Sequence, residues 1–161
     1  MGLNKTSAVV ITVSDGVSAG VRLDESGDAL EANLAAAGFS VTRRLVPDEV
    51  GQIVAAIRKS AGKDGLILTT GGTGFGPRDV TPEATKSILD REAPGLIHVM
   101  IAKGLESTPM AALTRARAGD VSGSLVINLP GSPKGATQSL EAVADLLPHA
   151  LQLLSGDTRH H

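Results

Sequence analysis

An α/β sandwich with right-handed crossovers is the fold class this sequence predicts. Three observations carry it. Short β-branched runs alternate with longer segments of helical period. The apolar runs are continuous, as in strands covered on both faces. Glycines and hydroxyl-proline pairs stand at the joins, where caps and turns belong.

Ser7 to Val13 (SAVVITV) reads as a buried strand. Asp24 to Ala37 has helical spacing, with Ala29, Leu30, Leu34 and Ala37 on one face and Gly38 in the left-handed cap position. Phe39 to Val46 is the second strand. Val50, Ile53, Val54 and Ile57 then recur at helical spacing, predicting a helix that Gly62 closes. Gly65 to Thr70 (GLILTT) is a third strand, central in a parallel sheet. In the second half, Thr81-Pro82, Thr108-Pro109 and Ser132-Pro133 each put an N-cap hydroxyl before a proline suited to the first helical position. Glu83 falls in a first turn, where the macrodipole favours a carboxylate. A helix fills Gly95 to Leu105. Ser124 to Leu129 is a late strand, pairing with a short one near Ala118 to Val121 through a Ser122-Gly123 turn. The last helix, Pro133 to about Leu154, buries Leu140, Val143, Ala144, Leu147, Leu151 and Leu154, and Pro148 kinks or splits it. One domain is expected over residues 1–156, with a polar, flexible tail over 157–161 in which the terminal histidines have no role.

With 161 residues, 42% hydrophobic and 20% charged, the chain can bury a core without staples. Its 15 Lys+Arg nearly balance 17 Asp+Glu, which excludes a disordered polyelectrolyte and argues against a nucleic-acid partner. The absence of cysteine excludes disulfide scaffolds, thiolate zinc sites and cysteine nucleophiles. Phe39 and Phe75 are the only aromatics, so no base-stacking platform exists. Apolar runs such as Ala8 to Ile11 fall far short of the ~20 residues of a membrane span. Met1 to Ser7 lacks the pattern of a secretion signal. A cytoplasmic protein without a membrane partner is expected.

In open α/β sheets ligands bind beyond the carboxyl ends of the strands. The run Thr69 to Pro82 (TTGGTGFGPRDVTP) stands at such an end. Four glycines in six residues let a phosphate or flat ring approach the main chain and its N–H groups. No Gly-Lys-Ser/Thr follows, so it is not a Walker loop. Arg78 suits either a phosphate or Asp79, and Asp79 suits either a metal or the ordering of its own turn. After the second strand, Val46-Pro47-Asp48-Glu49 offers Asp48 as an N-cap for the next helix, worth ~1 kcal/mol, or as a ligand-facing acid. The small-residue loop Val13 to Arg22, with Ser14 and Asp15, and the segment Asn128 to Lys134, with Pro130, Gly131 and Ser132, complete the candidate cleft. Ser14 lacks a nucleophile-elbow context. His98 and His149 are lone helical histidines, and no cluster suggests zinc. Arg115 and Arg117 flank a short helix end, where they reach a phosphate or nothing.

The run LTTGGTGFGPRDVTPEAT, Leu68 to Thr85, resembles the signature of the molybdenum-cofactor biosynthesis family, in particular its molybdopterin adenylyltransferases and their fused relatives such as gephyrin. Val13-Ser14-Asp15, Val46-Pro47-Asp48-Glu49, Pro94-Gly95, Thr108-Pro109, Leu113 to Gly119 and Asn128 to Pro133 follow in the family's order. The resemblance implies a three-layer α/β/α sandwich around a mostly parallel sheet, assembled as a homotrimer. It implies attack of the terminal phosphate of molybdopterin on the α-phosphorus of ATP, with release of pyrophosphate and hand-over to a molybdate-inserting enzyme. Asp48 and Asp79 match the family's two critical acids, expected to hold Mg²⁺ on the ATP phosphates. Gly71, Gly72, Thr73 and Gly74 match its ligand loop and Asp15 its Val-Ser-Asp loop, while Arg78 and loop N–H groups are expected to stabilise charge. Ser132 replaces a frequent Asn or Gln, and Thr114 a frequent Ser. A non-catalytic pterin-binding scaffold and a pathway paralogue are the competing expectations.

Overall fold

The computed structural model describes residues 4–157. Most of the expected 157–161 tail, with both terminal histidines, and Met1 to Leu3 lie outside the described residues. In chain order come β1 (Asn4–Val13), α1 (Asp15–Ser18), α2 (Glu25–Ala36), β2 (Ser40–Val46), α3 (Val50–Ser60), β3 (Asp64–Thr70) and α4 (Thr81–Lys86). Then follow β4 (Arg91–Glu92), α5 (Pro94–Leu105), a 3₁₀ turn (Pro109–Leu113), β5 (Ala118–Val121), β6 (Ser124–Leu129), α6 (Pro133–Val143), a second 3₁₀ turn (Ala144–Leu146) and α7 (Leu147–Leu154). The sheet order is β2-β1-β3-β6-β5-β4. The first four in that order run parallel, and β5 and β4 are antiparallel additions at one edge.

Alternation along the central strands feeds two cores. Ala8, Val10, Leu66, Leu68, Leu125 and Ile127 meet Leu30 and Leu34 of α2 and Leu140 and Val143 of α6 on one face. Val9, Ile11, Ile67 and Val126 meet Ile53 and Ile57 of α3 and Ala84 of α4 on the other. The result is the three-layer α/β/α sandwich, built from strands that read as unbroken apolar runs because both faces are covered. Each Val, Leu or Ile among them contributes about 1.5–3 kcal/mol by burial. Val17 apart, the helices after β1 and after β3 pack on opposite faces, so the carboxyl ends of these adjacent strands flank a crevice, the usual ligand position in open α/β sheets.

Gly38 and Gly62 take the positive φ expected of helix-ending residues, +95° and +80°. Ser132 caps α6 by accepting from Gly135 N, and Thr108 caps its 3₁₀ turn through Met110 N. The last helix is split as Pro148 predicts: Ala144–Leu146 interrupts it, and the proline sits in the first turn of α7. Ala37 and Ala144, expected on buried faces, are exposed at helix ends where the chain turns outward. Among the described residues no helix is long and apolar enough to cross a membrane.

Candidate functional site

At the end of β1, Ser14 N donates to Val46 O, extending the link to β2 (3.0 Å). Ser14 Oγ accepts from Val17 N and caps α1, which the loop reading from Val13 to Arg22 did not foresee. Asp15 thereby faces Asp48 at the end of β2. Each carboxylate accepts the other's backbone N–H: Asp15 N to Asp48 Oδ2 at 2.9 Å, Asp48 N to Asp15 Oδ1 at 3.0 Å. This overturns the N-cap reading of Asp48. Glu49 holds the N-cap position of α3 without a side-chain bond, because the carboxylate of Asp48 is turned back toward β1. Arg78 pairs with Asp15, not Asp79, through Nε to Oδ2 (3.0 Å) and Nη2 to Oδ1 (3.1 Å). That hydrogen-bonded guanidinium holds the Asp15 carboxyl below its usual range. Asp48 moves the other way. Burial raises it, the negative charges of Asp15 and Asp79 add to the rise, and the Asp15 N–H and Arg78 only partly offset it.

A consequence for stability follows from that direction. A carboxyl whose folded pKa exceeds its unfolded value is penalised once ionised, so stability falls as pH rises from the unfolded value of 3.8 through the raised folded one. Asp48→Asn removes the charge while its amide oxygen still accepts from Asp15 N. In chelator-treated protein at pH 7 the variant melts at or above the parent temperature, with the difference vanishing at pH 3 and below. Thermal unfolding across pH checks this, and a lower midpoint at pH 7 contradicts it.

The glycine loop is held from behind. Thr81 Oγ1 donates to Gly71 O (2.9 Å) and Thr81 N to Gly72 O (3.2 Å). Arg115 N donates to Thr73 O and Arg115 Nε to Gly74 O, each at 2.8 Å. Thr81 is therefore a buried loop anchor and not the N-cap of α4, which is Val80. In a planar trans peptide the next N–H points opposite the carbonyl. The N–H groups of Gly72, Thr73, Gly74 and Phe75 accordingly turn away from these anchors, and none has an acceptor among the described residues. A run of free amides of this kind is an anion-binding concavity. Glycine is needed at Gly72, where a Cβ would collide with Thr81 Oγ1 and sit 3.1 Å from Asp48 Oδ1.

Ser14, Asp15, Asp48, Gly71, Gly72, Asp79, Gly131 and Ser132 line one cleft of about 980 Å³. Thr73, Gly74, Pro130 and again Ser132 line a neighbouring pocket of about 280 Å³, closed by Met100 and Ile101 of α5 and by Leu113. The loop is the wall between them. Arg78 lines neither and reaches the cleft through Asp15. Asp79 orders its own turn, Oδ2 accepting from Gly76 N at 2.8 Å. Asp48 and Asp79 each engage a backbone N–H with one oxygen and keep the other without a hydrogen bond among the described residues. Among those residues no cluster of three or more His, Asp or Glu could hold a metal unaided. Two such oxygens fit a hard divalent cation that completes its shell with phosphate oxygens and water.

Asn128, grouped by sequence with the cleft, is fully buried. Its Nδ2 donates to Thr69 and Thr85 hydroxyls and its Oδ1 accepts from Arg117 N, tying β6 to β3, α4 and the chain entering β5. Thr114 Oγ1 accepts from Ala116 N, a bond serine makes equally. The sequence reading missed Arg115 as loop anchor, and also Val21 and Leu23, which are 77% and 83% exposed at the cleft edge. Two bulky apolar side chains in a small-residue loop were the available signal for the latter. Arg117 pairs with Glu92 at 2.7 Å.

Residues 9–149 match the family model described as "Probable molybdopterin binding domain". The chain is 40% identical over 152 residues to the molybdenum cofactor synthesis protein cinnamon of Drosophila melanogaster, covering 92% of this chain and 25% of that protein. It thus spans about a quarter of the length of that larger relative. It is 38% identical over 164 residues to the molybdopterin adenylyltransferase of Haemophilus influenzae, covering 91% of this chain and 83% of that one. Among solved structures, the molybdopterin biosynthesis enzyme MoaB of Thermus thermophilus superposes with a TM-score of 0.88 at 50% identity, over 94% of this chain and 97% of that one.

Proposed function

From the premise that the chain belongs to the molybdopterin-binding family of molybdenum cofactor biosynthesis, we propose that it is a molybdopterin adenylyltransferase. ATP occupies the large cleft and the pterin the smaller pocket. An oxygen of the pterin's terminal phosphate attacks the α-phosphorus of ATP, the bond from that phosphorus to the bridging oxygen of pyrophosphate breaks, and adenylyl-molybdopterin forms. The attacking phosphate is already anionic near neutral pH, so no general base is needed. The observation that carries this reading is the shared wall: the free N–H groups of Gly72 to Phe75 belong to the one loop that borders both cavities. Two phosphates meeting there have their charge met by oriented amides.

Asp48 and Asp79 are the residues to hold Mg²⁺, which when bound supplies charge neutralisation on the ATP phosphates. Ionised Asp48 is penalised in the free protein, so a cation relieves what burial imposes. Arg78 meets a phosphate by exchanging Asp15 for it, and Ser14 and Asp15 shape the entry to the cleft. Ser132, whose oxygen caps α6, keeps its hydroxyl proton to donate, while Pro130 and Gly131 bring it to the junction of the cavities. Gly131 packs with its absent Cβ 3.2 Å from Gly71 Cα. With no aromatic at the cleft, the adenine rests on aliphatic Val21 and Leu23.

A homotrimer is the assembly the family resemblance implies; on α5, Leu105 is exposed and Leu96, Ile97 and Ile101 are only partly covered, leaving apolar surface for a second copy. The cytoplasm is the location that fits ATP use, and a molybdate-inserting enzyme is the consumer of the product. A second reading is a pathway paralogue whose own reaction is open, as it is in the name of the Thermus thermophilus relative at 50% identity, a molybdopterin biosynthesis enzyme. Incubation with molybdopterin and MgATP labelled at the α-phosphate separates them. Adenylyl transfer gives label on the pterin with equimolar pyrophosphate. Bound pterin with neither product overturns it in favour of the binding module.

A further inference from the structure

Resting on the adenylyl-transfer reading, we propose that Arg115 is a positioning residue for the transfer step, acting through the glycine loop and Asp79 without touching substrate. Arg115 stands just before β5 and lines neither substrate cavity. It opens instead onto a hollow behind the loop, beside Glu83 and Arg117. Its guanidinium is fully engaged with the machinery: Nε donates to Gly74 O and Nη2 to Asp79 O, both at 2.8 Å, while Nη1 is paired with the Glu83 carboxylate. Its Cζ also lies 5.5 Å from the centroid of the Phe75 ring.

These contacts tie the middle of the glycine loop to the Asp79 turn and to α4, beyond the bonds that Thr81 makes to Gly71 and Gly72 and that Asp79 makes to Gly76. Gly72 to Phe75 make no N–H hydrogen bonds among the described residues, and glycines give the backbone wide freedom. Fixing the carbonyls of Thr73 and Gly74 fixes the direction of the amides that follow, because each peptide unit is rigid. Fixing the carbonyl of Asp79 sets the backbone from which that carboxylate reaches the cleft. A planar fork spans two carbonyls and one carboxylate at once, and an ammonium does not. Binding of either substrate alone needs little of this, whereas alignment of two phosphates needs all of it.

The test uses Arg115→Ala and Arg115→Lys, with Arg117→Ala as the control for charge in the same hollow. Arg115→Ala, which keeps the backbone bond to Thr73, lowers kcat by about 100-fold and leaves the ATP KM within about threefold of the parent. In the substrate-free ¹⁵N-labelled proteins, the order parameter of the Phe75 amide, which follows the Gly74 carbonyl that Arg115 holds, falls from about 0.85 to below about 0.6. Arg115→Lys recovers part of both, and Arg117→Ala behaves as the parent. In an Asp79→Asn background, removal of Arg115 costs clearly less than the about 100-fold it costs in the parent, since part of its effect runs through Asp79. If the parent transfers AMP but Arg115→Ala keeps its kcat or its loop order, the proposal is overturned. It is equally overturned if the loss appears wholly in the ATP KM, which marks a phosphate ligand. A parent without transfer removes the adenylyl reading, and the loop order parameters then decide the clamp by themselves. Should Arg115→Ala fail to fold, Arg115→Lys carries the same readouts.

Discussion

Asp79→Asn lowers AMP transfer on the order of 10³-fold, about 4 kcal/mol of transition-state stabilisation, while the melting temperature stays close to that of the parent. The substitution separates two jobs of one side chain. Asp79 Oδ2 accepts from Gly76 N at 2.8 Å, and an amide oxygen makes that bond as well, so the turn survives. What disappears is the negative charge on the oxygen that makes no hydrogen bond. Magnesium affinity falls with it, so the assay is run at saturating Mg²⁺ and ATP with label on the α-phosphate. Turnover within about threefold of the parent under those conditions removes Asp79 from the reaction.

Gly71→Ala destabilises the fold by at least ~3 kcal/mol, a drop in midpoint of roughly 6–12 °C for a chain of this size, and abolishes transfer by the molecules that remain folded. Gly71 has φ +103°, and a Cβ there would overlap the carbonyl oxygen of Val13. Its N–H is bonded to Leu129 O at 3.1 Å, so the residue cannot retreat without opening the β3–β6 pairing. The loop that follows would shift away from the end of β1 and from Asp48. Gly119→Ala supplies the comparison, since a Cβ there overlaps the carbonyl oxygen of Arg91 in the β4–β5 pair, remote from the cleft. It destabilises similarly but keeps the parent kcat per folded molecule. Equal kcat in the two variants contradicts the assignment of Gly71 to the site.

Local signals carried most of the architecture. Continuous apolar runs marked β1, β3 and β6, and cap residues marked the ends of α2, α3 and α6, because these features depend on neighbours a few residues apart. β4 escaped because two residues, Arg91 and Glu92, contain no period. α1 escaped because four residues give no helical face. The misread site residues share a different cause. Asp48 and Thr81 both satisfy the local rule for an N-cap, and in both a partner distant in sequence wins: Asp15 is 33 residues from Asp48, and Gly71 is 10 from Thr81. Arg115 meets Gly74 across 41 residues, which no spacing rule anticipates. Residue chemistry marked which loops carry the site; only the packed sheet decides which charges face each other.

Anomalous X-ray scattering from crystals grown with Mn²⁺ and a non-hydrolysable ATP analogue measures where the cation and the triphosphate sit. One manganese peak is expected within ligand distance of both the Asp48 and Asp79 carboxylates, with phosphate oxygens against the amides of Gly72 to Phe75. Manganese and triphosphate bound away from those two side chains, with the loop amides facing only solvent, would contradict it.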